Sequence, residues 1–198
     1  MKLLLAAADL QDGRVASEFA KTWLPSKKRV LYVVHVVEPP GVLNDLSRPI
    51  FSDWRKHVLT KARGLVGRLA KPLCSHNSKT RPLVLEGKTK RSLLHLISDY
   101  GIDMTIVAPQ ASFRAKRFLL GSISESILHN SPTSVAIARA RPGRHKRRTI
   151  VIGLDGSSSA HKAAKWVLEF RIVPRSRILL VSVDEPPPDT FLDRLARI

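Results

Sequence analysis

Two places in the chain carry residue types suited to holding an anionic ligand. Asp9 ends the first apolar run, Leu3 to Ala8, and Gly121-Ser122 opens a helical stretch that runs through His129. A helix start presents unpaired N–H groups and the positive end of the helix dipole, which together can receive a phosphate. A strand-end aspartate offers oxygen acceptors to a ligand. Both residues also have a plainer use, because aspartate and serine are common N-caps. A loop rich in positive charge precedes the second place: Ser112, Phe113, Arg114, Ala115, Lys116 and Arg117.

Residues for turnover are not evident. His57, His76, His95, His129, His145 and His161 show no metal-ligand spacing. Cys74 and His76 are too isolated for zinc, which takes four clustered ligands. His35 lies mid-strand and reads as a core or crevice-edge residue. There is no Gly-x-Ser-x-Gly elbow and no Walker A sequence. Asp45 and Asp53 have no convincing carboxylate partner. The expectation is a binding protein with no catalytic residue and no metal site.

The elements that must position Asp9 and Ser122 follow from hydrophobic patterning. After Asp9 and a turn-like Gln11-Asp12-Gly13, the residues Val15, Ala16, Phe19, Ala20 and Trp23 are spaced for one buried helix face, and Pro25 stops it. Arg29 to Val37 is a near-continuous β-branched run, suited to a central parallel strand covered on both faces. A basic amphipathic helix spans about Pro49 to Ala70, ended by Pro72 and the polar stretch Ser75 to Lys79. Pro82 to Gly87 is a short strand, Arg91 to Tyr100 a helix with Gly101 as its stop, and Met104 to Val107 a fourth strand. The helix at Gly121-Ser122 follows, then a strand over Thr133 to Arg139.

Five strands alternating with four helices predict an α/β fold, an open parallel sheet with helices on both faces. Right-handed crossovers limit its topology. Ligands of such sheets sit beyond the carboxyl ends of the strands, where strand order reverses.

Arg139 to Arg148 then forms a basic linker, and the pattern restarts. Thr149-Ile150-Val151-Ile152-Gly153-Leu154-Asp155 echoes the first strand and Asp9, and Arg177 to Pro187 echoes Arg29 to Pro40. The two aspartates and the two Glu-Pro-Pro sequences share nearly one offset, which indicates an internal repeat. The expected domains are 1–139, a linker over 140–148, and a partial second copy over 149–198. A half-sized copy should leave apolar surface uncovered.

The segment Ile102 to Ala111, followed by Lys116-Arg117-Phe118-Leu119-Leu120-Gly121-Ser122-Ile123-Ser124-Glu125-Ser126-Ile127-Leu128, resembles the signature of the universal stress protein family. So does Ser131-Pro132-Thr133-Ser134-Val135-Ala136-Ile137, and Val151 to Ser157 resembles the family's opening strand and turn. The resemblance implies a Rossmann-like, adenine nucleotide alpha hydrolase-like sheet of order 3-2-1-4-5, a stress-response role and a homodimer. ATP-binding members carry Gly-x2-Gly-x9-Gly-Ser/Thr. This chain keeps that spacing, with Ala108 and Ala111 in place of the first two glycines and then Gly121 and Ser122. The resemblance implies that Asp9 and Val36 contact the adenosine end of ATP or another adenine nucleotide. It sets Gly121, Ser122, Ile123 and Ser124 at the phosphates. Glycine serves where a ligand approaches the backbone closely, and an added methyl costs about 1 kcal/mol in a left-handed conformation.

The chain has 198 residues, 34 Lys and Arg against 16 Asp and Glu, and a formal net charge of +18. Such charge favours nucleotides, nucleic acid or anionic lipid without choosing among them. Charge runs are more often solvated tethers, and no aromatic platform accompanies the linker for nucleic-acid contact. The alternative to nucleotide binding is a nucleotide-independent dimeric partner-binding module or a nucleic-acid adaptor. The single cysteine, Cys74, excludes an intrachain disulfide and fits a cytoplasmic setting. The apolar start stops at Asp9, short of a signal core, and no run approaches a membrane span.

Overall fold

The β-branched run at residues 29–37 becomes the second of five strands in one parallel sheet. The structure, a computed structural model, describes residues 1–23, 28–40, 48–75, 78–108, 120–139, 148–169 and 176–183. The elements are β1 (Lys2–Ala6), α1 (Leu10–Trp23), β2 (Arg29–Val37), α2 (Arg48–Ala70), β3 (Ser78–Glu86), α3 (Thr89–Tyr100), β4 (Met104–Val107), α4 (Ser122–Asn130) and β5 (Ser134–Ile137), then β6 (Arg148–Gly153), α5 (Ser158–Glu169) and β7 (Ser176–Val181). They divide into two compact units, Met1–Pro142 and Gly143–Ile198.

In the first unit the strand order is β3-β2-β1-β4-β5, all parallel. The central strands are buried on both faces, as parallel sheets require. Leu4, Tyr32 and Val34 pack in one core cluster with Leu93, Leu96 and Ile97 of α3 and Ile127 of α4. The alternate residues Leu3, Leu5, Leu31 and Val33 are fully buried too. They point to the other face, where α1 packs on α2. Helices therefore cover both faces, and the order 3-2-1-4-5 puts the reversal of strand order between β1 and β4.

The larger differences from the boundaries the sequence suggests are at α1, β3 and α3, and β5 is shorter than Thr133 to Arg139. Gln11-Asp12-Gly13 forms the first turn of α1 rather than a turn before it. The reason is a cap: Asp12 N–H donates to Asp9 Oδ1 over 2.8 Å, the bond an N-cap aspartate makes to the third helical residue. β3 begins at Ser78, four residues before Pro82, because nine residues of β2 are available to pair with it. Pro82 is tolerated within it because β3 is an edge strand. α3 starts at Thr89, and Gly101 ends it in the left-handed conformation at φ 57° that glycine adopts freely.

In the second unit, β6 and β7 form a two-stranded parallel sheet. Its first pair is Arg148 with Ser176, 28 residues apart, as are Lys2 and Val30 at the start of β1 and β2. One bond beyond the last strand pair is alike. Leu154 N–H donates to Val181 O at 2.8 Å, and Ala7 N–H to Val34 O at 2.9 Å. Val151, Ile178 and Leu180 are exposed at 61%, 47% and 65%, so the apolar surface expected of a half-sized unit is uncovered.

Among the described residues, no helix is long and apolar enough to cross a membrane.

Candidate functional site

The carboxyl ends of β1, β2 and β4 open into a cavity of about 230 Å³. Its walls come from successive elements. Ala6, Ala7 and Ala8 follow β1, Val34, His35 and Val36 end β2, and Val107 and Ala108 end β4. Thr89 and Leu93 enter from α3, and Gly121 to Ser124 from the start of α4. The small side chains at 6–8 are what leave the space. Strand direction puts all these ends on one side, which is why residues far apart in sequence meet here.

The first turn of α4 supplies the polar wall. Gly121 is its N-cap, in an extended conformation with no side-chain cap bond. Glu125 N–H, bonded to Gly121 O at 3.0 Å, makes the first intrahelical bond. The N–H groups of Ser122, Ile123 and Ser124 precede it and so have no carbonyl partner within the helix. Ile127, fully buried, anchors this helix against β4 and α3. The described lining contains no Asp, Glu, Lys or Arg. Charge on a ligand would meet backbone dipoles, hydroxyls and one imidazole.

That imidazole is His35. Its Nδ1 donates to the carbonyl oxygen of Ala7 over 2.8 Å. A carbonyl can only accept, so Nδ1 carries the proton and Nε2 remains the second polar atom of the ring. Sequence reasoning leaves His35 as a core or crevice-edge residue, and the structure makes it cavity wall. The one polar side chain within Val33-Val34-His35-Val36-Val37 is the signal that points there.

Of the residues singled out in the sequence, Val36, Ala108, Gly121, Ser122, Ile123 and Ser124 line this single cavity. Asp9 is not among its lining residues, and its Oδ1 serves the α1 cap. Ala111 lies outside the described residues, as do Arg114, Lys116 and Arg117. Just outside the lining, Glu38 accepts from the Thr89 hydroxyl at 3.0 Å and fixes the start of α3. In the second unit Asp155 is exposed and accepts from Ser157 N–H at 2.9 Å. Hydrogen bonds from Ser157 hold its carboxyl below the usual range. Ser157 Oγ in turn accepts from Ala160 N–H at 3.1 Å, so the serine caps α5. Among the described residues, no group of three or more His, Cys, Asp or Glu is placed to hold a metal ion.

The comparisons with known proteins agree with this architecture. A universal stress protein from Archaeoglobus fulgidus is similar at TM-score 0.56 and 17% identity, over 99% of this chain and 70% of that one. The universal stress protein UspA from Lactobacillus plantarum aligns at TM-score 0.51 and 15% identity, over 70% of this chain and 97% of its own. A universal stress protein family protein from Arabidopsis thaliana, solved with AMP bound, aligns at TM-score 0.51 and 14% identity, over 70% and 90%. At these identities the likeness is one of fold. No curated protein sequence matches the chain. The model of the universal stress protein family matches residues 1–139, which hold the whole five-stranded sheet and its cavity, and the chain belongs to that family.

Proposed function

We propose that this chain is a stress-response protein that binds an adenine nucleotide in the β1–β4 cavity and retains it without substantial turnover. The observation that carries the reading is the meeting of strand-end alanines with the first-turn N–H groups of α4 in one cavity. A helix start of this kind is a ready anion site. Val36 serves the adenosine end, Gly121, Ser122, Ile123 and Ser124 the phosphates, and Ala108 stands at the first position of the phosphate motif. Asp9, with Oδ1 in the cap, acts on the ligand through Oδ2, and Ala111 belongs to the same site. The AMP-bound relative from Arabidopsis supports the ligand class.

Residues 149–198 are, in this reading, a partial second copy joined by a basic linker over 140–148. The shared 28-residue strand separation supports it. The protein works in the cytoplasm as a homodimer. The exposed edge of β5 is a pairing surface of the kind that parallel sheets leave open.

A second reading has two observations in its favour. Ala108 replaces a glycine of the ATP-binding pattern, and the cavity of about 230 Å³ falls below the roughly 300–1,000 Å³ of ligand pockets. The chain would then be a nucleotide-independent partner-binding module. Native mass spectrometry of the purified protein decides between them. A retained adenine nucleotide supports the first reading. A nucleotide-free chain with no calorimetric response to ATP overturns it, and steady phosphate release overturns the claim of no turnover.

A further inference from the structure

We propose that the trough between α2 and the open edge of β3 docks an acidic peptide in extended form, as a strand added to the sheet. β3 ends the sheet, with β2 as its one strand neighbour. Two hollows of about 470 and 350 Å³ share Leu59 and Arg63 of α2, and the second of them reaches β3. Ser52, Lys56, Leu59, Arg63 and Val66 follow one stripe of α2 at spacings of three and four. The second hollow is also lined by Pro82, Leu83, Val84 and Glu86. Neighbouring strand residues point to opposite faces. A hollow that touches three in a row therefore reaches β3 from its edge, where backbone N–H and C=O groups lack a strand partner.

The stripe from Ser52 to Val66 covers about 21 Å at the helical rise. That length accommodates about six extended residues. Added strands of this kind gain affinity from main-chain bonds and specificity from side-chain contacts along the groove. The charge of the trough selects the partner. Arg55 is held by Glu86 through two bonds of 2.7 and 2.8 Å, so these two cancel. Lys56 and Arg63 are exposed, and neither has an ion pair among the described residues. The uncancelled charge is positive, over an aliphatic floor of Leu59, Val66 and Val84. Among the described residues no aromatic ring lines either hollow, and a nucleic-acid base finds no described ring to stack on, which favours a peptide.

The test uses the full chain and a labelled Glu-Val-Glu-Val-Glu-Val peptide, with Lys-Val-Lys-Val-Lys-Val as its counterpart. Fluorescence anisotropy should show binding of the acidic peptide alone, weakened by salt. The Lys56→Glu, Arg63→Glu double variant should lose at least tenfold in affinity. If that variant folds poorly by circular dichroism, Lys56→Gln, Arg63→Gln should lose a smaller factor of the same sign. Amide hydrogen exchange should slow in residues 78–86 when the acidic peptide binds. The proposal fails if neither peptide binds, if both bind equally, or if binding leaves the β3 amides unprotected. It fails equally if an oligothymidine binds the trough more tightly than the peptide and loses affinity in the same variants.

Discussion

His35 Nδ1 lies 2.8 Å from Ala7 O, a side chain of β2 tied to the residue that follows the β1 strand end. The bond holds the ring against the cavity wall with one tautomer selected. Asparagine can present its amide N–H₂ near the position of Nδ1 but has nothing in place of Nε2. His35→Asn should therefore keep the urea midpoint close to the parent's while lowering nucleotide affinity severalfold by calorimetry. His35→Ala should lower both. Unchanged affinity in the asparagine variant would remove Nε2 from ligand contact.

Asp9 allows a similar separation of roles. Its Oδ1 caps α1 through Asp12 N–H. Asp9→Ala should cost about 1 kcal/mol of stability, and Asp9→Asn should restore most of it, because asparagine caps as well as aspartate. A contribution of Asp9 to the ligand through its charge or Oδ2 would show as weaker nucleotide binding in Asp9→Asn at nearly unchanged stability. Equal affinity in the two proteins would make Asp9 a cap and nothing more.

These two residues mark how far the sequence can be read. The boundaries of β2, Arg29 to Val37, follow from a run of β-branched side chains that only a covered central strand explains. The six cavity residues from Val36 to Ser124 follow from the family spacing, together with the rule that ligands sit at strand ends. The bond from His35 to Ala7 is a contact across 28 residues, and no local pattern encodes it. The start of β3 is hidden for another reason. Ser78 and Lys79 are polar, and only pairing with Arg29 and Val30 of β2 makes them strand. The start of α1 is hidden because Gln11-Asp12-Gly13 has turn composition, while the cap that overrides it belongs to Asp9. In the second unit the apolar residues Val151, Ile178 and Leu180 of β6 and β7 are exposed, which a strand pattern alone does not reveal.

The Arg55–Glu86 pair predicts a specific pH dependence. Hydrogen bonding from Arg55 is the main cause that lowers the Glu86 carboxyl below its ordinary 4.5, with the charges of Arg55 and Arg63 adding to it. A carboxyl depressed in the folded state stabilises fully above its unfolded value, and that stabilisation is lost as pH falls through the folded value. The pair is solvent-exposed, so its contribution is small and screened by salt. Glu86→Gln should lower the urea midpoint slightly at pH 7 and low salt, and the difference from the parent should fade below the ordinary carboxylate value and vanish below the depressed folded value. A difference that persists at the lowest pH would assign it to packing rather than to charge.

Close approach of α1 to α2 depends on Gly13. A Cβ added there would run into Leu69 Cδ1, with Leu69 Cδ2 2.9 Å and Ala7 Cβ 3.1 Å away. Leu69 is buried at 2% exposure and has little room to yield. Overpacking costs about 1–3 kcal/mol, against about 1 kcal/mol gained in helix propensity over glycine. Gly13→Ala should therefore destabilise by about 1 kcal/mol. In a Leu69→Ala background the same change should become neutral or favourable, since both clashing methyls are gone. A double-mutant cycle on urea midpoints measures that coupling, and additive effects would refute the contact.

Under the nucleotide-binding proposal, the alanines at positions 108 and 111 set how tightly phosphate is held. Ala108 lines the cavity directly, and Ala111 follows it at the spacing where ATP-binding relatives carry glycine. If a methyl at each position strains the loop or holds phosphate off the α4 N–H groups, removing it recovers about 1 kcal/mol per site, or roughly fivefold in affinity. Ala108→Gly, Ala111→Gly should then bind ATP roughly tenfold or more tightly than the parent by calorimetry, with stability slightly reduced by the added backbone freedom of glycine. A serine control checks the role of the methyl. Ala108→Ser keeps the Cβ and adds a hydroxyl, so it should not improve binding, because the hydroxymethyl group takes more of the cavity than the methyl. If the double glycine variant binds ATP no better than the parent, the cavity has lost nucleotide for reasons other than these two methyls, and the partner-binding reading gains.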